Sequence, residues 1–186
     1  MSKHHLKRLV VLRHSKAAWP EGVPDADRPL AERGHADAPE AGKWLLEHRV
    51  VPDFILCSVA LRTRQTCTWV CRELGDLAPT PKLETGLYAA NAARMLAVVN
   101  HVPDTVQTLL IIAHMPGVQD LVLRLASRDS DHEAYLDAAN HFPTTGLAVL
   151  EHDKPWAELD GQDARLTHFA VPRAESRRHG QKHRSH

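Results

Sequence analysis

Two uninterrupted apolar runs constrain this chain more than any other feature: Leu9-Val10-Val11-Leu12, and Leu109-Leu110-Ile111-Ile112-Ala113 after Thr108. Runs this short and this apolar read as strands buried on both faces, which a chain achieves only with helices above and below the sheet. Both runs stop at a histidine, His14 and His114, and the first also carries Arg13 and Lys16 at its end. In open α/β sheets, ligands bind just beyond the carboxyl ends of the strands. The two runs therefore predict a fold and a place for its chemistry together.

The rest of the chain alternates in the manner this requires. Trp19 to Asp27 holds Pro20, Gly22 and Pro24 and reads as a loop. A helix is expected over about 35–49, with Ala38, Ala41 and Leu45 on one face and Pro39 near its first turn. Phe54-Ile55-Leu56-Cys57 is a short buried strand closed by Ser58. Cys67, Val70, Cys71 and Leu74 then keep helical spacing up to Gly75. Lys82 to Tyr88 reads as a short strand entering a loop, and Asn91 as the cap of a helix carrying Met95, Leu96 and Val99. Pro116 opens a helix with Val118, Leu121, Val122 and Leu125 on its core face. Late strands are expected over 144–150 and 165–170, with a further one near Trp156. The last strands lack intervening helices, so part of an otherwise parallel sheet should be antiparallel. The expected class is α/β, with helices on both sides of a mostly parallel sheet.

With 186 residues the chain suits one domain, drawn here as 1–172, followed by a basic, His-rich, disordered tail over 173–186. Lys and Arg total 23 against 23 Asp and Glu, so no overall field argues for a nucleic-acid or membrane partner. Attraction for an anion must come from a local cluster. Cys57, Cys67 and Cys71 are odd in number and lie in apolar segments, which suits buried free thiols and offers no zinc spacing. No signal-like apolar region opens the chain and no run reaches spanning length, so a soluble, cytoplasmic protein is expected.

Three strand ends can meet at one sheet edge: those at His14, at His114, and at Ser58 with Arg62 four residues beyond. Arg13, His14, Arg62 and His114 would then line one pocket. Two guanidiniums beside two imidazoles suit a dianionic ligand, because arginine matches phosphate oxygens bidentately. Neighbouring positive charge keeps an imidazole neutral and nucleophilic. The chemistry indicated is covalent phosphoryl transfer, with no metal or other cofactor suggested by the spacing. Lys16 either attracts substrate or is simply solvated. Asp27 and Arg28 are assigned to ordering the loop, and Gln65 and Thr66 to helix packing.

As an ordered set, Arg13-His14-Ser15-Lys16, Asp27-Arg28-Pro29-Leu30 with Gly34, Ser58 with Arg62 and Gln65-Thr66, and Ala113-His114-Met115-Pro116-Gly117 resemble the histidine phosphatase superfamily. The nearest likeness is to its small SixA-type phosphohistidine phosphatase branch, and it spans roughly residues 7–171. The resemblance implies a three-layer αβα sandwich of the phosphoglycerate mutase type. It implies His14 as a transiently phosphorylated nucleophile, Arg13 and Arg62 as phosphate-binding arginines, and His114 as the second histidine. Glu84 is the candidate general acid by its order in the chain. Ser15 stands where the family signature has glycine, and Ser15 and Lys16 are possible substrate contacts. The implied substrate is a phosphorylated protein bearing phosphohistidine. The alternatives are small phosphate esters or nucleotides, or a non-catalytic module that binds phospho-ligands.

Overall fold

A computed structural model describes residues 6–175. The two apolar runs are strands β1 (Lys7–Arg13) and β4 (Thr108–Ala113), and they lie side by side in parallel, with Arg13 opposite Ala113. Strands β2 (Phe54–Ser58) and β3 (Lys82–Glu84) extend the parallel part beyond β4, while β5 (Leu147–His152) and β6 (Arg165–Ala170) add antiparallel strands on the other side of β1. The six-stranded order is β3-β2-β4-β1-β5-β6, which puts β1 and β4 at the centre.

Side chains of these central strands alternate between two cores. Leu9, Val11, Leu109 and Ile111 face one, covered by α3 (Ala92–Asn100), α4 (Gly117–Leu125) and α5 (His132–Asn140). Val10, Leu12, Leu110 and Ile112 face the other, under α1 (Glu32–Glu47) and α2 (Leu61–Leu74). All eight are at most 1% exposed. At about 1.5–3 kcal/mol per buried aliphatic side chain, these residues anchor the centre of the sheet between its two helical layers. The three-layer α/β expectation therefore holds, including its antiparallel part.

Several local expectations change. Helix α1 starts at Glu32, so Pro39 lies in its second turn rather than its first. The segment near Trp156 is a 3-10 turn (Trp156–Glu158), not a strand: the indole is fully buried and donates to the Val106 carbonyl at 2.8 Å. Helix α5 has no counterpart in the sequence pattern, since it buries only Ala134 and Ala138 and gives almost no hydrophobic period. Two hydrogen bonds to the body of the fold come from residues just past Pro172. The Ala174 amide donates to Asp37 Oδ1 at 3.0 Å, and Arg173 donates to the Thr144 carbonyl at 2.7 Å. The rest of the expected tail, 176–186, lies outside the described residues. No helix among the described residues is long and apolar enough to cross a membrane.

Candidate active site

The cluster is built from strand ends. β1 delivers Arg13 and His14, β4 delivers His114, and the turn after β2 starts α2, whose second residue is Arg62. That turn is fixed by Thr63, whose hydroxyl donates to the carbonyls of Ser58 and Ala60 at 2.7 Å each. Arg13, His14, Arg62 and His114 line one cavity of about 240 Å³, together with Lys16, Ala17, Trp19, Arg28, Met115 and Thr144.

His14 is 8% exposed, and its Nδ1 lies 2.7 Å from the Ser15 carbonyl oxygen. A carbonyl only accepts, so Nδ1 carries the hydrogen and Nε2 keeps its lone pair. Burial pushes the imidazole pKa down to about 3, and His114, Arg62 and Arg13 push the same way against the Ser15 hydrogen bond. At neutral pH the His14 imidazole is uncharged and held in a single tautomer, with an unprotonated Nε2.

His114 sits with its ring centroid 5.3 Å from that of His14. Its Nε2 is 2.7 Å from the Ser58 hydroxyl, while Nδ1 is buried without a partner. Burial, then Arg62, lowers its pKa to about 4, although Asp25 pulls the other way. The Nε atoms of Arg13 and Arg62 are likewise buried and unpartnered. Buried polar atoms without partners are rare, and three of them on residues lining one cavity leave hydrogen-bonding capacity that an acceptor-rich ligand can fill. Arg13 is aimed by its bond to the Phe142 carbonyl at 2.9 Å. Such a cavity can hold a tetrahedral oxyanion against an imidazole lone pair.

Residues that carry no signal in the sequence complete the frame. Asp25 accepts from Arg62 at 3.1 Å, from Arg28 at 3.2 Å and from the Tyr88 hydroxyl at 2.6 Å, while its carbonyl accepts from Arg62 at 2.7 Å. The Tyr88 hydroxyl and then Arg62 and Arg28 hold its carboxyl pKa down to about 2. Thr145, with φ of 64°, turns its hydroxyl to Ser15 Oγ at 2.8 Å. Neither a short polar loop nor a lone tyrosine has a periodic pattern, and only proximity to Arg62 identifies them.

Three sequence expectations shift. Glu84 does not line this cavity: its carboxylate accepts from the Gly86 amide at 3.0 Å, capping the turn at Thr85–Leu87 beside a separate hollow that includes Arg94 and His101. Ser15 is fully buried and spends its hydroxyl on Thr145, so it supports the site from behind rather than meeting substrate. Arg28 both orders the loop, through the Ala18 carbonyl at 3.1 Å, and lines the cavity. Gln65 and Thr66 also hold loops, accepting from the amides of Leu30 at 2.7 Å and Ser15 at 3.1 Å. Lys16 is exposed at the cavity rim. Among the described residues, no group of three or more His, Cys, Asp or Glu is placed to hold a metal ion.

Comparison with known proteins points to one family. The family described as histidine phosphatase superfamily (branch 1) matches residues 9–87. An uncharacterised protein of Mycobacterium tuberculosis is 39% identical over 163 residues, covering 87% of this chain and all of that one. A solved structure from Nakamurella multipartitia, provisionally named phosphohistidine phosphatase SixA, superposes with a TM-score of 0.79 at 31% identity, over 90% of this chain and 96% of that one. A structure of the protein histidine phosphatase SixA with tungstate has the same fold, with a TM-score of 0.69 at 23% identity, over 89% of this chain and 97% of that one.

Proposed function

The chain belongs to the histidine phosphatase superfamily, in its SixA-type branch, and from that premise we propose that it removes phosphate from phosphohistidine in proteins without a metal ion. His14 Nε2 attacks phosphorus, forming a P–N bond as the bond to the leaving group breaks. Arg13, Arg62 and His114 hold the phosphoryl oxygens as their charge redistributes. Water then attacks the phosphorylated His14, releasing inorganic phosphate and returning the imidazole to its neutral form.

The observation that carries the substrate class is that, among the described residues, none lining the cavity bears a carboxylate. Glu84 lies at another hollow, and Asp25, held down to about 2, is ionised and has no proton to give. An alkoxide leaving group needs a general acid to depart at neutral pH. A substrate imidazole is basic enough near neutrality to leave already protonated by solvent. The cavity suits the second kind.

The test is hydrolysis of a phosphohistidine peptide, a sugar phosphate and a nucleotide by one preparation, with and without EDTA. Expected is a kcat/KM for the peptide at least about a hundredfold above the other two, unaffected by chelator, since a missing general acid is worth about 10²–10⁴ in rate. Faster turnover of the sugar phosphate or nucleotide, or loss with EDTA, overturns the assignment.

A further inference from the structure

Trp19 is 78% exposed, the most exposed large hydrophobic side chain among the described residues, yet it stands at the rim of the active-site cavity. It is not loosely placed there. The Arg28 guanidinium lies 3.2 Å from the indole centroid, and Arg28 is itself pinned by the Ala18 carbonyl and by Asp25. The backbone leading into it is equally fixed: Ala17 bridges Leu30, the Ala18 amide donates to the Pro29 carbonyl, and the Ala31 amide donates to the Lys16 carbonyl, the last two at 2.8 Å. One face of the indole is thus occupied by a cation, and the exposure of the residue leaves the other open.

We infer that Trp19, backed by Arg28, forms a leaving-group subsite that stacks a planar ring carried on the phosphoryl group. The inference rests on the phosphatase reading above and assigns recognition of the leaving ring, an imidazole or another planar aromatic ring, to Trp19. The phosphoryl group is held by the inner residues Arg13, Arg62 and His114, so whatever it is attached to must leave through the rim. At the rim, the indole is far more exposed than Met115, the other large apolar side chain lining the cavity, and it has Lys16 and Arg28 as cationic neighbours. An indole held against a guanidinium arrives ordered, so stacking a ring on it costs little further loss of side-chain freedom. Polarisation by Arg28 also suits the indole to an electron-rich ring such as imidazole or phenol.

The experiment compares phenyl phosphate with hexafluoroisopropyl phosphate, whose leaving group is of similar acidity but not planar. The readout is the ratio of kcat/KM values in the unaltered protein, Trp19→Ala and Trp19→Phe. Expected is a fall in the phenyl-to-alkyl ratio on the order of tenfold in Trp19→Ala, restored for the most part in Trp19→Phe, as loss and return of one stacked ring require. A ratio unchanged in Trp19→Ala, with both esters turned over, overturns the subsite and leaves the phosphatase reading standing. Failure to hydrolyse either ester or a phosphohistidine peptide overturns both.

Discussion

His14 and His114 begin as equals: each follows a buried parallel strand, the strands are neighbours in register, and the rings lie 5.3 Å apart under the same pair of arginines. One hydrogen bond apiece separates them. His14 gives its Nδ1 hydrogen to a backbone carbonyl, which can only accept, so its Nε2 must be a lone pair. His114 meets a hydroxyl through Nε2 and leaves Nδ1 unpartnered. With the Ser58 hydroxyl donating, that Nδ1 carries a hydrogen for an anionic oxygen. On the proposed mechanism, the same residue type on the same kind of element then serves as a nucleophile in one case and as a donor in the other. The partner's chemistry decides which.

The largest way to break this contrast is to remove each ring in turn. His14→Ala should lower turnover of a phosphohistidine peptide by at least about three orders of magnitude and abolish the trapped phosphoenzyme. His114→Asn should cost about 10²–10³ while still forming phosphoenzyme slowly. Rapid-quench labelling with radioactive phosphate distinguishes the two, and a phosphoenzyme that survives His14→Ala reverses the roles.

The next effect is on stability against pH. Both folded-state pKa values, about 3 and about 4, lie below the unfolded value near 6.5, so the unfolded chain binds more protons throughout that window. The stability these neutral histidines contribute is complete above pH 6.5. It is lost as pH falls toward 4, by up to about 1.4 kcal/mol per pH unit for each ring. Urea melts at pH 7, 6 and 5 should show this slope, and the double variant His14→Asn/His114→Asn should flatten it. An unchanged slope in the double variant assigns the proton uptake elsewhere.

The smallest effect sharpens the contrast rather than breaking it. Ser58→Ala removes the hydroxyl that fixes His114 and leaves the His14–Ser15 bond untouched. It should lower kcat/KM about tenfold, in line with loss of a single positioning hydrogen bond, and leave phosphoenzyme formation intact. A loss matching that of His14→Ala would show that the two rings do not act separately.

The parts of this site that lie on strand ends are legible in the sequence, because a run such as Leu109 to Ala113 fixes both the element and where it stops. Arg13, His14, Arg62 and His114 meet as their positions imply. Asp25 and Tyr88 are not legible, since Asp25 reaches Arg62, and Tyr88 reaches Asp25, across loops whose paths no periodicity encodes. Glu84 shows the limit of reasoning by order along the chain. It follows the expected strand, yet that strand pairs at the sheet edge and its side chain turns back on the Gly86 amide. Helix α5 escapes for the opposite reason, its contact with the core being two alanines.

The rim that carries Trp19 is tied down almost wholly by main-chain groups, and beneath it Gly34 packs so closely that an added Cβ would stand 2.1 Å from the Lys16 carbonyl oxygen. Position 34 is therefore closed to every other residue while the rim keeps its place. Positions 16 and 19 are open, because nothing in the hydrogen bonding of the frame depends on their side chains. Divergence of such a chain toward new substrates needs no rebuilding of the phosphoryl machinery. Exchanges at those two positions would alter the face the cavity presents to solvent while the backbone that carries Arg13 and His14 stays where it is.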